Sequence, residues 1–495
     1  MNFATLLRAL TLGTARRPLP AEVRQWLART EATDPEADEA EGLLAALAVG
    51  ERLHRTGGRQ LPPDVVRSAT AATPQDTRPT TDAALTRATE LVLNGPYAAL
   101  LPELINVVDE RGLVFAPRFL PALLDHAVEA GATAGAGAAA GAARTMGGRG
   151  AWLAGLNPDW AALDPAFDYA AAFAAEGTPG GRLGLLRRWR ARDPGAARAA
   201  LEAVWADQSA RNQELLLAGL EPGLGAADVP FLTRVREPKR AGVRRAAAAL
   251  LLRAGDAATL ADFRSLARAA LTETGRFRNV FAGPAEQALL KTYGGAKRRE
   301  TPAAYLLERL PPTDWAELTG RPPVDFFADL TAAGRAAAAR ALVRYAAGPE
   351  LTAPLLRTLA LRGTHELPPE EARPLVNLLP RKRFAALYDE LLTREANLLQ
   401  PGNPALRLAL LRATPWNERL TRAAVTVLRQ HAEAAGRAGY RDLEADWRAA
   451  IPRLDPRTLP WLEQQLRPLL ERPDRLGRLA TETLQTTAFR QQWHD

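Results

Sequence analysis

The chain has 495 residues, of which 47% are hydrophobic, and its 64 Lys and Arg against 56 Asp and Glu give a formal net charge of +8. This length corresponds to roughly two to four domains or to one elongated repeat array. The absence of cysteine excludes disulfides, thiolate metal sites and cysteine nucleophiles. The three serines and five histidines are scattered and match no hydrolase or metalloprotease motif. We therefore expect no catalytic residue, cofactor or metal, and a non-enzymatic protein is favoured.

The hydrophobic pattern is helical along nearly the whole chain. Leu6, Leu7 and Leu10 already recur at helical spacing near the start, and alanine and leucine, both good helix formers, dominate the later segments. The prolines fall mainly between these periodic segments, and no stretch alternates as a strand does. The pattern predicts an all-α protein of many short helices. No apolar run approaches the length of a spanning helix, so we expect no membrane segment.

The composition divides the chain into three parts. We expect a helical N-terminal region over residues 1–130. Residues 131–160 form a Gly-rich hinge followed by a junction that contains tryptophan and an Asn-Pro turn, because the glycines of Gly131–Gly141 favour a linker. Residues 161–495 form a helical repeat array. The opening residues carry no basic segment before the first apolar stretch and make a poor signal peptide, so we expect a cytoplasmic protein.

The clearest repeat unit lies in the middle of the chain. Phe231–Val235 is predicted to be a first helix, Glu237–Lys239 a turn and Val243–Leu251 a second helix that ends before Gly255. The unit resembles a HEAT repeat, whose second helix characteristically begins Val-Arg and continues with paired alanines. Such units bury a continuous core only by stacking on one another. The prediction is a HEAT-like α-solenoid of stacked helical hairpins, preceded by a helical N-terminal portion.

The stretch from Gly148 to Trp160 has the most unusual composition. Arg149 lies between two glycines, and Trp152 and Trp160 flank a turn at Asn157. Because glycine permits a close approach of the backbone, Arg149 could bind a carboxylate, a phosphate or a helix C-terminus. These four residues are candidates for partner binding. The alternative is a packed domain junction, in which the tryptophans fill a seam and Arg149 caps a helix.

This stretch and a second motif near the N-terminus carry a family resemblance. The motifs are Gly13-Thr-x-Arg-Arg-Pro-Leu, and Arg149-Gly-x-Trp-Leu followed by Leu156-Asn-Pro-x-Trp. Together they resemble an uncharacterised bacterial family encoded beside MoxR-type AAA ATPases, von Willebrand A-domain proteins and SWIM zinc-finger proteins. Ala15 stands where an acidic residue is common in that family. The resemblance implies a helical partner of an ATPase and a von Willebrand A-domain protein, and it supplies no catalytic residue.

Basic residues concentrate in the middle of the chain. Residues 182–300 contain 22 Lys and Arg against 12 Asp and Glu. Arg244 and Arg245 lie on the predicted second helix of the repeat unit. If that helix begins near Lys239, Arg240 and Arg244 are four residues apart and share a face. If such faces align between repeats, they form a basic groove that is similar to that of the HEAT-like alkylpurine DNA glycosylases. In the other interpretation, these arginines face solvent and form salt bridges between repeats.

We therefore expect a non-enzymatic scaffold or adaptor that binds protein partners. The family resemblance implies an AAA ATPase and a von Willebrand A-domain protein as these partners. The alternative is a nucleic-acid-binding protein or DNA glycosylase that uses the basic region 182–300. No catalytic Asp beside an aromatic pair is identifiable there, and no aromatic platforms for RNA bases are interleaved with the basic residues. Nucleic acid is therefore the less favoured partner.

Overall fold

Every regular element in the described part of the chain is a helix, and no β-strand occurs there. The computed structural model describes residues 76–133, 136–236, 240–278, 280–281, 283–294, 301–363, 367–395, 397–434 and 440–494. The expected opening helix, the motif that begins at Gly13 and the repeat turn 237–239 lie outside these residues. Within them the all-α prediction is confirmed.

The helices are short and follow one another closely. In chain order they are α1 (Ala83–Asn94), α2 (Leu101–Glu110), α3 (Leu120–Thr133), α4 (Ala136–Leu156), α5 (Tyr169–Ala175), α6 (Pro179–Arg192), α7 (Pro194–Val204), α8 (Ala210–Leu217), α9 (Val229–Arg236), α10 (Ala241–Arg253), α11 (Ala257–Ala270) and α12 (Pro284–Thr292). They continue with α13 (Pro302–Leu307), α14 (Thr313–Thr319), α15 (Pro323–Asp329), α16 (Ala332–Arg344), α17 (Pro349–Arg362), α18 (Pro369–Leu378), α19 (Arg381–Arg394), α20 (Pro404–Leu410), α21 (Glu418–Ala434), α22 (Tyr440–Ala450), α23 (Leu459–Leu470) and α24 (Arg475–His494).

Proline and small polar residues set the beginnings of many of these helices. At Thr178–Pro179, Asp193–Pro194, Thr301–Pro302 and Asn403–Pro404, the first residue caps the helix through its side-chain oxygen and proline occupies the first helical position. Proline is suited to that position because its fixed φ matches the helix and its missing N–H would have no intrahelical partner. Many prolines of the sequence therefore mark helix starts, although Pro354, Pro374 and Pro468 lie inside helices.

The described residues divide into two compact units. Unit 1 contains residues 76–80 and Val114–Phe167, and unit 2 contains Thr81–Leu113 and the chain from Asp168 onwards. The units therefore alternate along the chain, whereas the sequence suggested serial regions with boundaries at 130 and 160. Their boundaries follow long-range contacts that composition does not show.

In unit 1, helix α3 packs against α4, and a short 3₁₀ segment, Pro158–Leu163, packs against both. The Gly-rich segment for which a hinge was expected is helical from Ala136. The backbone departs from helical geometry at Gly147, where φ is 64°. A left-handed residue of this kind breaks α4 into two parts and turns the Arg149 segment relative to the preceding turns.

In unit 2, many helices contact the second helix further along the chain. These contacts form two sets. The first set comprises α16, α18, α20, α22 and α24, and the second comprises α15, α17, α19 and α21. In addition, α16 contacts α17 and α21 contacts α22. The two helices expected in the middle of the chain are α9 and α10, which pack on each other, with Val243, Ala247 and Ala248 buried. Small alanine side chains at these positions allow close helix packing.

Arginines link successive helix pairs in unit 2 through backbone carbonyl groups. Arg412 donates to the carbonyl of Val376, Arg453 to that of Arg412, and Arg490 to that of Leu454. In each bond the two residues are 36 to 41 positions apart. Each guanidinium supplies donors to carbonyl groups near helix ends that have no intrahelical partner.

The segment Thr81–Leu113 packs on the last helix of the same unit. Arg490 forms a bidentate pair with Glu103 at 2.8 and 2.9 Å, and both side chains are buried. The rings of Tyr97 and Phe489 stack with centroids 4.3 Å apart. Helices α1 and α2 therefore cover α24. This packing joins residues 83–110 to residues 475–494.

Candidate partner-binding surfaces

The most constrained backbone of unit 1 lies at the start of the Arg149 motif. A Cβ atom at Gly147 would lie 1.5 Å from Asp76 Oδ2, so the carboxylate occupies the space that any other side chain needs. The next residue, Gly148, donates its N–H to the same Asp76 oxygen at 2.8 Å. Gly147 is therefore required both for its positive φ and for the close approach of Asp76.

Asp76 holds this segment through several interactions. Its other oxygen accepts the backbone N–H of Arg78 at 3.2 Å, and the Arg78 guanidinium lies 3.6 Å from that oxygen. Arg78 also donates to the backbone carbonyl of Arg144 in α4. Desolvation opposes ionisation of Asp76, but the N–H groups of Arg78 and Gly148 and the Arg78 charge outweigh it, and the pKa of Asp76 is lowered. The carboxylate is therefore charged at neutral pH.

Arg149 lines a cavity beside this carboxylate. The cavity has a volume of about 170 Å³. Its polar lining consists of Asp76, Arg78, Thr80 and Arg149, and apolar side chains such as Phe115 and Met146 form the rest. Arg149 is half-buried, and its Nε is buried without a hydrogen-bond partner among the described residues. An arginine with unused donors beside a small cavity can bind a carboxylate in a bidentate manner.

The other three residues predicted in this motif lie elsewhere. The Asn157 side chain accepts the N–H of Asp159 at 3.1 Å and caps the 3₁₀ segment. Trp160 is 6% exposed, and its indole N–H donates to Asp125 in α3 at 2.7 Å. Trp152 is half-buried and does not line the cavity. Asn157 and Trp160 thus hold the packing of unit 1, and Arg149 has the free donor group.

The second predicted group lies at the start of α10. Arg240 is exposed and precedes the first helical residue, whereas Arg244 and Arg245 are half-buried. Arg245 donates to the carbonyl of Gly294 at 3.3 Å. A Cβ at Gly294 would lie 2.3 Å from the carbonyl oxygen of Ala241, so this glycine loop lies directly against α10. Of the three arginines, Arg240 is the one that faces solvent freely.

Many other basic side chains of residues 182–300 pair with acids elsewhere in unit 2. The most buried is Arg190, which is 0% exposed and contacts both oxygens of Asp228 at 2.9 Å. Its guanidinium also donates to four backbone carbonyls. Further ion pairs of this region are Arg198–Asp228, Arg234–Glu202, Arg253–Glu221, Arg264–Asp314 and Arg276–Asp329. Many arginines of this region are therefore paired individually. Of the pairs named here, only those with Asp314 and Asp329 use acids outside residues 182–300 and so offset the excess positive charge of that region.

Sequence reasoning did not identify Asp76 and Arg78 as part of the Arg149 site. They lie more than sixty residues before Arg149, in a stretch rich in proline, threonine and alanine. The available signal was the spacing Asp76-x-Arg78, which allows an acid to accept a backbone N–H two residues later. That spacing is common in turns, and it does not reveal the distant glycine that the carboxylate contacts.

Within the described ranges, no three His, Asp or Glu side chains form a group that could hold a metal ion. None of the helices in those ranges is both long enough and apolar enough to span a membrane.

No curated protein and no solved structure matches this chain. A family model does match it, over residues 5–495, which is nearly the whole chain. The chain therefore belongs to the family of unknown function designated DUF5691.

Proposed function

We propose that this protein is a non-enzymatic scaffold or adaptor whose unit 2 is a HEAT-like solenoid. Support comes from the two sets of helices in unit 2, each contacting the second helix along the chain. Support also comes from the arginine–carbonyl bonds that join residues 36 to 41 positions apart, a separation close to the length of one helical hairpin. Stacked hairpins of this type present extended surfaces for partners.

The observation that carries the binding proposal is the Arg149 cavity in unit 1. The bent backbone at Gly147 and the fixed carboxylate of Asp76 hold the segment in place before any partner arrives. Arg149 then offers donors that no described residue uses. A carboxylate side chain from a partner protein would satisfy these donors, and a pre-ordered site lowers the entropic cost of binding.

The family resemblance of the sequence motifs suggests which proteins to test. It implies a MoxR-type AAA ATPase and a von Willebrand A-domain protein as partners, so these two are the first choice. An interaction of this kind requires no catalytic residue in the present chain.

The test is direct binding between the purified full-length protein and each of the two purified candidate partners, measured by biolayer interferometry. We expect at least one partner to bind, and Arg149→Ala to weaken that binding about tenfold or more, since a lost charge-assisted hydrogen bond costs about 1.5–3 kcal/mol. The matched control is Arg144→Ala. Arg144 is exposed on the same helix and does not line the cavity, and its carbonyl bond to Arg78 is retained in the variant.

Two results would contradict the proposal. One is the absence of binding to both partners at micromolar concentrations, and the other is equal weakening by the two substitutions. Tight binding of duplex DNA at physiological salt would instead favour the nucleic-acid alternative. That alternative stands second because many arginines of residues 182–300 are engaged in ion pairs.

A further inference from the structure

A larger cavity lies in unit 2, away from the residues discussed so far. It has a volume of about 460 Å³ and lies between the start of α19, the loop that joins α20 to α21 and the turn at Pro456. Phe384, Trp416 and Leu420 form part of its wall, and all three are buried. Small-molecule sites commonly have volumes of about 300–1,000 Å³. The volume of the cavity and its wall of buried apolar side chains are those expected of a preformed small-molecule site.

The polar lining of this cavity is strongly cationic. Arg381, Lys382, Arg412 and Arg457 line it, and Asp455 is the acid among its lining residues. Arg457 neutralises that acid with two bonds from its guanidinium, at 3.0 and 2.7 Å. Arg381 and Lys382 are exposed and form no ion pair with a described residue. The cavity therefore has an excess of positive charge.

Arg412 supplies a buried donor to the same cavity. It is 4% exposed, its Nε donates to Thr414 Oγ1 at 2.9 Å, and its Nη1 donates to the carbonyls of Val376 and Leu379. The hydrogen bonds of Arg412 to described residues come from Nε and Nη1 and leave Nη2 unused, and the guanidinium lies over the Phe384 ring, 5.0 Å from its centroid. Burial and the nearby charge of Arg381 lower the pKa of Arg412 to about 10. An anion in the cavity would counteract the lowering of the Arg412 pKa, and it would accept a hydrogen bond from the unused Nη2.

The start of α19 adds further positive character. Its N-cap is Pro380, which offers no side-chain oxygen to the first N–H groups of the helix. The first turn contains no acid and consists of Arg381, Lys382 and Arg383. This is opposite to the usual arrangement, in which acids occupy the positive end of the helix dipole, as Glu370 does at the start of α18. The uncapped N–H groups at the start of α19, the positive end of its dipole and its basic side chains all favour an anion at this helix start.

We propose that this cavity binds the phosphate group of a small anion. Arg381, Lys382 and the free Nη2 of Arg412 would donate to its oxygens, and the apolar wall would accommodate the rest of the molecule. Arginine and lysine together with a helix N-terminus form a recurrent phosphate-binding combination. The phosphate belongs either to an inorganic polyphosphate or to a nucleotide. The proposal concerns unit 2 and is independent of the partner-binding proposal above.

The test is isothermal titration calorimetry of the full-length protein with inorganic phosphate, pyrophosphate and a nucleoside triphosphate at physiological ionic strength, where the Debye length is about 8 Å. We expect pyrophosphate or the triphosphate to bind, and Arg381→Gln and Lys382→Gln each to weaken binding about tenfold. Arg383→Gln is the matched control, because Arg383 is exposed in the same helical turn but does not line the cavity. We expect its affinity to stay within about twofold of the wild type, because Arg383 does not line the cavity and, at this salt concentration, solvent and ions weaken the attraction of an exposed charge that makes no direct contact with the ligand.

All three substitutions change exposed side chains, so the far-ultraviolet circular dichroism of each variant should match that of the wild type. Similar affinities for pyrophosphate and the triphosphate would identify the phosphate chain as the ligand, and a much higher affinity for the triphosphate would identify a nucleotide. Either result supports the proposal. It is overturned if none of the three anions binds, if all three variants weaken binding equally, or if a polyglutamate peptide binds more tightly than any phosphate compound with the same variant pattern.

Discussion

The Arg149 segment in unit 1 and the Arg240–Arg245 segment in unit 2 look alike in sequence but differ in the structure. Both place arginine next to glycine or alanine at the start of a helical stretch. The Nε atoms of Arg149 and Arg245 are both buried without a hydrogen-bond partner among the described residues, but only Arg149 of these two lines a cavity. Arg245 is half-buried and bonds to the carbonyl of Gly294, and nearby arginines of unit 2 pair with acids.

The difference shows that the availability of an arginine depends on acceptors that are distant in sequence. In unit 2, arginines meet carbonyl groups or acids of other helices that are distant in sequence, for example 30, 32 and 41 residues away in the contacts Arg198–Asp228, Arg234–Glu202 and Arg453–Arg412. In unit 1, Asp76 is already bonded to Gly148 and Arg78, so it does not neutralise Arg149. The number of arginines in the sequence therefore overestimates the number of arginines in unit 2 that are available to a partner.

The largest expected effect comes from removing a fully paired arginine. Arg190→Met would leave Asp228 buried without its bidentate partner, and we expect a loss of about 3–5 kcal/mol in the free energy of unfolding of unit 2. Chemical denaturation followed by far-ultraviolet circular dichroism measures this loss.

Arg234→Met is the control for that substitution. The Arg234 side chain is 63% exposed, and it pairs with Glu202 at 2.6 Å. Exposed pairs of this kind contribute about 0–1 kcal/mol. Equal effects of the two substitutions would show that burial does not distinguish the arginines of unit 2.

The second test concerns the backbone that positions Arg149. Gly147→Ala would place a Cβ against Asp76 at a residue with φ of 64° and ψ of −165°, a combination that essentially only glycine adopts. We expect a cost of about 1–3 kcal/mol from the backbone alone. Gly141→Ala is the control in the same helix, because its Cβ would meet only Arg144 Nη2 at 3.9 Å. That control should be neutral or stabilising by about 0.5–1 kcal/mol, as expected for alanine in a helix interior. Equal unfolding midpoints for the two variants would refute the role given to Gly147.

A smaller effect is expected from the titration of Asp228. Desolvation raises its pKa, but the hydrogen bonds and charge of Arg190 and the N–H of Gly225 prevail, so its pKa in the folded protein lies below the ordinary value. The stabilisation that follows is complete above the unfolded-state pKa of about 3.9 and is lost as the pH falls through the lower folded value. Denaturation midpoints measured from pH 7 to pH 3 should therefore decline less in Asp228→Asn than in the wild type. Parallel curves would exclude Asp228 as a source of acid sensitivity.

Much of the fold could be predicted from the sequence because helical signals are local. The spacing of Ala and Leu, the N-cap residues and the prolines all act within one or two turns, and α9 and α10 appear where the repeat pattern predicted them. The division into units was not accessible in this way. It depends on pairs such as Glu103 with Arg490, which are separated by 387 residues.

The candidate sites show the same limit. Arg149 was identifiable because an arginine between glycines is unusual, but Asp76, which fixes its backbone, is recognisable only from the folded structure. The cationic start of α19 is visible as Arg381-Lys382-Arg383 after Pro380, yet the cavity beside it requires Arg412 and Asp455 from two later turns. Sequence patterns indicate which side chains are unusual, and tertiary packing decides which of them can reach a ligand.

The smallest expected effect concerns nucleic acid. If the arginines of α10 formed a phosphate-binding groove, duplex DNA binding would fall steeply with salt, with a log–log slope of about −0.9 for each phosphate contact. Because Arg244 and Arg245 are half-buried, we expect weak binding that is lost near physiological salt. Arg240→Glu, which reverses the exposed charge, should leave the fold intact and change this binding by less than about threefold, as expected for one solvent-screened charge. A salt titration of fluorescently labelled duplex binding by the wild type and this variant measures both quantities. The opposite outcome is tight binding at physiological salt that Arg240→Glu abolishes. It would show that the arginines at the start of α10 are accessible to a partner, contrary to the comparison with the Arg149 segment.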